Sequence, residues 1–187
     1  NVKAICNDKT IFIAKVTNSN PTFDVEYADT KPSTLAITQD NQLIIRNNSL
    51  LEIRASNAVA KNYATISSAR VVLNGVTYNQ TFNRNVAIFN IGTLNLSSNA
   101  QAQVSVIDSR GITTTKTITI EILDWQLPTA IISLQRHNNF YSETDINVNA
   151  DYSSLDNLNS ITIKTRYKKV SDSTYGSYVT LQDNITS

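Results

Sequence analysis

The sequence predicts an all-β protein built as tandem β-sandwiches, and three observations carry that expectation. The stretch Lys9–Thr22, KTIFIAKVTNSNPT, is nearly repeated at Lys116–Thr129, KTITIEILDWQLPT. The lysines at 9 and 116 are 107 positions apart, as are the prolines at 21 and 128, and a fixed offset over strand and linker marks a repeat of about domain size. Between the two copies run short alternating apolar segments, punctuated by turn residues about every 8–12 positions. Only Ala58–Ala64 has helical flavour, and it is too short for more than a turn.

The elements follow in order. Ile5, Ile11-Phe12-Ile13 and Val16 read as strand, and by the offset Ile11–Ile13 matches Ile118–Ile120. Residues 1–17 are therefore expected to be the closing strand of an upstream repeat, the chain opening as though in the middle of a longer one. After the linker Asn18–Pro21, Phe23, Val25 and Tyr27 alternate with Asp24 and Glu26, as a strand with one buried face does. Ala28–Pro32 reads as turn and Leu35-Ala36-Ile37 as a short strand. In Leu51–Ala55 the apolar positions 51, 53 and 55 point in. Asn74-Gly75 is a two-residue hairpin signal joining Ile66–Leu73 to Val76–Phe82. Ala102, Val104 and Val106 lead into the turn Asp108-Ser109-Arg110-Gly111, with Gly111 suited to a left-handed position, and Thr113–Leu123 returns. Seven or more strands in about a hundred residues is the signature of an immunoglobulin-like or fibronectin-III-like sandwich. The domains expected are 18–125 and an incomplete 126–187.

The second copy aligns less simply. Ile146, Val148 and Ala150 match Leu51, Ile53 and Ala55 at an offset of 95, so the first copy carries twelve more residues, placed within 29–41. Ile161–Tyr167 matches Ile66–Val72 at the same offset, and Ser187 falls opposite Gly92. On that alignment the strands equivalent to Ala102–Leu123 are missing from the second copy, and Ile11–Val16 of another molecule is a candidate to fill the gap by strand complementation.

Composition limits the function classes. Net charge is +1 and charged residues are 17%, which supplies no drive towards nucleic acid or an anionic membrane. A single cysteine, Cys6, allows no intrachain disulfide. No apolar run approaches the ~20 residues of a membrane-spanning helix. His137 is the only imidazole and sits in a polar loop with no nucleophile context, so no catalytic residue is assigned. One His and one Cys do not make a zinc site. Asp24, Glu26, Asp29, Asp108, Asp124, Asp145 and Asp151 are scattered without calcium-loop spacing and are expected to serve turns and caps. No metal and no cofactor are expected.

Two places remain for ligand contact. Trp125, the only tryptophan, is either a stacking platform for a sugar ring or, with Leu123 and Leu127, the apolar plug of an interdomain joint; the linker position favours the joint. Lys164, Arg166 and Lys168 share one face of a strand, with Tyr175 and Tyr178 nearby. That face is either plain solvated surface or a binding surface for an anionic polymer such as a teichoic acid.

Several of these pieces together resemble a known group. They are N-P-T-F at Asn20–Phe23, I-D-S-R-G at Ile107–Gly111 followed by T-K-T-I-T-I, and S-I-T-I-K-T-R-Y-K-K at Ser160–Lys169 followed by S-D-S-T-Y-G-S-Y. Over about Asn18–Ser187 the chain resembles the immunoglobulin-like repeats of minor structural proteins, tail-tip or tail-fibre, of siphophages and prophages of Gram-positive bacteria. The resemblance implies a non-enzymatic component of the virion tail, assembled in the bacterial cytoplasm. Such a component spaces or presents the parts that attach to the host. Its implied partners are other tail proteins, further repeats of the same chain and host cell-wall glycan. It brings no catalytic residue. The alternatives are a bacterial surface adhesin repeat and a carbohydrate-binding sandwich module.

Overall fold

The computed structural model describes residues 2–5, 11–14, 19–136, 138 and 144–186. The chain is predominantly β: fourteen strands and one short helix are found among the described residues. It divides into two compact units, one of Asn1–Tyr27, Glu52–Asn90 and Ala100–Thr119, the other of Ala28–Leu51, Ile91–Asn99 and Ile120–Ser187.

The strands of the first copy are β3 (Thr22–Asp29), β4 (Leu43–Ile45), β5 (Leu51–Val59), β6 (Ile66–Leu73), β7 (Val76–Gln80), β8 (Val86–Gly92), β9 (Ala100–Asp108) and β10 (Thr113–Leu123). They hydrogen-bond in two sheets, of order β3-β5-β8 and β4-β10-β9-β6-β7. In the first unit, alternate apolar residues of β3, β5, β6, β8 and β9 are buried: Phe23, Ile53 and Ala55, Ala69 and Val71, Ala87 and Phe89, Val104 and Val106. A period of two with one dry face is the pattern of a β-sandwich-like core. Asn74 and Gly75 both take positive φ, 48° and 76°, as the hairpin between β6 and β7 requires. Gly111 sits at φ 82°, in the left-handed region expected of it.

The first unit is laced at its opening strand by β10. Thr114 Oγ1 donates to the Pro21 carbonyl at 2.6 Å. Lys116 Nζ donates to the Phe23 carbonyl at 2.5 Å and lies 5.1 Å from that ring's centroid. Arg110 Nη2 donates to the Ser19 carbonyl at 2.9 Å.

In the second unit the structure departs from the expected elements. Residues 32–38, read as a turn and a short strand, form the helix α1 (Pro32–Thr38). Pro32 opens it, where a missing N–H costs nothing and the fixed φ suits the first turn. The threonine hydroxyls bond to backbone in and beside the helix: Thr34 Oγ1 to the Lys31 carbonyl at 3.0 Å and Thr38 Oγ1 to the Thr34 carbonyl at 3.3 Å. The helix lies inside the stretch 29–41, where the sequence placed the extra residues of the first copy. In the first unit, residues 58–64 go the other way: β5 runs on to Val59, and a turn follows with Asn62 and Tyr63 at positive φ. In the second unit the strand pairing is also unusual. Pairing of β4 with β10 is parallel, Leu43 to Glu121 and Ile45 to Leu123. Ile44, Ile45, Leu51, Leu94, Ile120 and Ile122 form this unit's apolar centre.

The second copy contributes four strands, also in the second unit: β11 (Thr129–Arg136), β12 (Thr144–Asp151), β13 (Ile161–Thr165) and β14 (Val179–Ile185). β11 has the same length as β3 and starts 107 residues later. It pairs with β12 as β3 pairs with β5. β14 pairs antiparallel with β13, Thr165 opposite Val179. Both β7 and β9 pair antiparallel with β6, and β14, as the next strand in the chain, follows β13 as β7 follows β6. The offset of 95 sets β14 opposite β8 instead, which does not pair with β6. The connection β14 needs is long. Thirteen residues, Arg166 to Tyr178, stand where the first copy uses Asn74-Gly75. A further two strands, β1 (Val2–Ile5) and β2 (Ile11–Ala14), form an antiparallel hairpin in the first unit.

Candidate functional site

The long β13–β14 connection gathers the basic and aromatic residues that the sequence singled out. Arg166 leaves β13 directly opposite Tyr178, which enters β14. Its guanidinium carbon lies 4.7 Å from the Tyr178 ring centroid and 4.8 Å from that of Tyr175. Lys168 Nζ lies 5.3 Å from the Tyr175 centroid. Two rings against one guanidinium is a cation–π arrangement that fixes the cation without neutralising it. The connection is folded onto itself by backbone bonds, Gly176 N–H to the Tyr167 carbonyl at 3.0 Å and Asp172 N–H to the Lys169 carbonyl at 3.0 Å. The Asp172 carboxylate is used locally, accepting from the Lys169 N–H at 3.2 Å and from Ser171 Oγ at 3.3 Å. Among the described residues none of Lys164, Arg166, Lys168 and Lys169 is ion-paired to a carboxylate. Tyr175 and Tyr178 stay exposed, at 54% and 60%. Lys168, already grouped with Lys164 and Arg166 in the sequence, is placed against Tyr175.

Trp125 is placed elsewhere in the second unit. Together with Ile37, Ile45 and Leu155 it lines a cavity of about 240 Å³, whose polar wall is Ser33, Thr34, Asn48 and Asn159. The backbone on either side is anchored: Asp124 pairs with Arg46 at 2.9 Å, and the Gln126 N–H donates to Ser153 Oγ at 2.8 Å. Leu123 and Trp125 are half-buried, but Leu127 is 73% exposed. Burial at Leu127 is thus slight. The approach of Leu155 and Asn159 to Trp125 leaves no trace in the sequence, because they lie some thirty residues away on a turn with no pattern of its own.

The carboxylates serve the backbone. Asp29 is buried and accepts at one oxygen from the Lys31 N–H at 2.9 Å and the Leu50 N–H at 3.0 Å. At the other it accepts from Ser49 Oγ at 2.7 Å and from the Thr34 hydroxyl. Burial pushes this carboxyl up, but the hydrogen bonds from Thr34, Lys31, Ser49 and Leu50 outweigh it and hold its pKa below the ordinary value. Asp108 organises the D-S-R-G turn, accepting from the Arg110 and Ile112 N–H groups at 2.9 and 3.0 Å and from the Arg110 guanidinium. The Arg110 side chain is the main cause that lowers its pKa, against burial. Among the described residues no three of His, Cys, Asp and Glu converge as a metal site would. His137 and Cys6 lie outside the described residues.

No family model matches this chain, and no curated protein matches it either.

Proposed function

We propose that the chain is a non-enzymatic structural and adhesive module of a phage tail, made of tandem immunoglobulin-like repeats divided near residues 17 and 125. The observation that carries the reading is the recurrence of β3 as β11, equal in length, 107 residues on, and with the same neighbour in its sheet. The strand orders support the immunoglobulin-like part. β3, β5 and β8 stand as A, B and E; β6, β9 and β10 stand as C, F and G, with β7 as C′ beside C. The motifs of the resemblance have structural work here: Pro21 and Phe23 are buried at the repeat's opening, and Asp108 builds the closing hairpin. A repeat whose conspicuous residues hold turns and edges suits a spacer that presents binding loops at its tips. Immunogold labelling of particles induced from the source bacterium, using antibody to this chain, is expected to mark tails. Label on the bacterial envelope of uninduced cells, with bare tails, favours the surface adhesin and defeats the tail reading.

A carbohydrate-binding module is the second reading, favoured by Trp125 beside the polar groups of its cavity. On that reading Trp125→Ala lowers binding to a glycan array at least tenfold, since a ring stacked on a sugar carries much of such an interface. Array binding that is absent, or equal in the variant, removes it.

A further inference from the structure

We infer that the β13–β14 connection is a binding site for a linear phosphodiester polymer with a polyol or sugar backbone, centred on Arg166. The inference rests on the tail-module reading for its source of ligand, the bacterial cell wall.

The first argument is the length of the connection. A hairpin needs two residues to turn, and β6–β7 uses two. Thirteen residues at the equivalent place, pinned by their own backbone bonds, exceed what chain reversal needs. Extra ordered loop at the end of a rigid hairpin is where binding residues are found.

Its chemistry is the second argument. Residues 160–181 hold four cations, Lys164, Arg166, Lys168 and Lys169, and one carboxylate, Asp172, which is engaged with its own turn. The Arg166 guanidinium carbon lies over the rings of Tyr175 and Tyr178, at 4.8 and 4.7 Å from their centroids. The two rings restrict the side chain and leave its charge in place. A guanidinium matches two phosphate oxygens bidentately. A side chain already restricted loses less freedom on contact.

A polymer fits this site better than a single phosphate. Lys164 lies on β13, Arg166 is the first residue beyond it, and Lys168 follows in the connection, where it lies 5.3 Å from the Tyr175 centroid. Three cations along one short stretch are met together only by a ligand that carries more than one charge. The exposed flanks of the tyrosines offer apolar contact to the polyol between phosphates. A net charge of +1 gives the molecule no general attraction for polyanions, so binding belongs to this site.

The test is biolayer interferometry of the whole chain on immobilised synthetic poly(glycerol phosphate), at low and at high salt. The expected result is saturable binding, weakened at least tenfold by Arg166→Ala, several-fold by Arg166→Lys, and at least several-fold by the double change Tyr175→Ala and Tyr178→Ala. Lys61→Ala, on an exposed turn elsewhere, is expected to bind as the wild type does. Circular dichroism melts of every variant establish that the fold is kept; should the double variant melt early, Arg166→Lys carries the test of the aromatic clamp alone. No binding by the wild type, or equal binding by Arg166→Ala, overturns the inference. Equal or tighter binding to hyaluronate overturns the choice of phosphate, and equal or tighter binding to oligo(dT) makes the ligand a nucleic acid instead. The two proposals separate cleanly. Tails that label while the polymer is not bound remove this site alone, and polymer bound by a chain absent from tails removes the tail reading alone.

Discussion

Asp29→Ala is expected to destabilise the fold by about 3 kcal/mol, measured as a shift of the urea midpoint at constant slope. The side chain is 2% exposed and holds four donors: two hydroxyls, Thr34 and Ser49, and two backbone N–H groups, Lys31 and Leu50. Truncation leaves buried donors without an acceptor, and Ser49 is itself fully buried. Asp29→Asn keeps one acceptor oxygen and is expected to cost about half as much. The carboxylate also links stability to pH. Its folded pKa lies below the value in the unfolded chain, about 3.9. The folded state therefore holds fewer protons in that window, and the stabilisation is complete above the unfolded value. It is lost as pH falls from there through the folded value. Wild-type midpoints at pH 7 and pH 5 are expected to agree as far as this group decides them, with a decline below about pH 4. Asp29→Ala flattens that decline in part, because Asp108 is lowered too and contributes a slope of the same sign. A variant with the full wild-type acid slope would show that Asp29 is not linked to folding.

Phe89→Ala is expected to cost about 3–5 kcal/mol. Phe89 is the largest of the fully buried side chains, and it sits on β8, next to β5 in the three-stranded sheet. Removing the ring forfeits its transfer from water and leaves a void among strand residues that cannot collapse into it. Ile132→Ser on β11 is the contrasting change. Ile132 is 63% exposed, and its neighbours Ile131 and Leu134 are at 72% and 67%. A serine there is expected to shift the same urea midpoint by no more than about 0.5 kcal/mol. Equal losses from the two would mean that the apolar residues of β11 are covered in solution.

Local order was legible where it depends on neighbours in the chain. The alternation of Leu51, Ile53 and Ala55 announced a strand with one dry face, because side chains of a strand point to opposite sides in turn. Asn74-Gly75 and Gly111 announced their turns, because few residues accept positive φ. The helix α1 was illegible for a definite reason. Its threonines and isoleucine favour strands, and what holds them helical is Pro32 at the first turn and a buried carboxylate, Asp29, bonded to Thr34. The fold brings Ser49 Oγ to the same carboxylate oxygen and the Leu50 N–H to the other one.

The candidate site divides in the same way. Lys164, Arg166, Tyr175 and Tyr178 could be named from alternation and proximity in the sequence, and their charge and exposure followed from their chemistry. Their convergence could not, because it depends on β14 pairing with β13, and the offset of the repeat argued for a different partner. The sequence by itself determined the β class and the residue types available for binding. Tertiary structure alone decided the register of β13 with β14, the parallel seating of β4 on β10 and the wall of polar groups beside Trp125. Strand character is written in a period of two along the chain. Which strand lies beside which is a competition among distant segments for the same backbone hydrogen bonds, and only the folded chain resolves it.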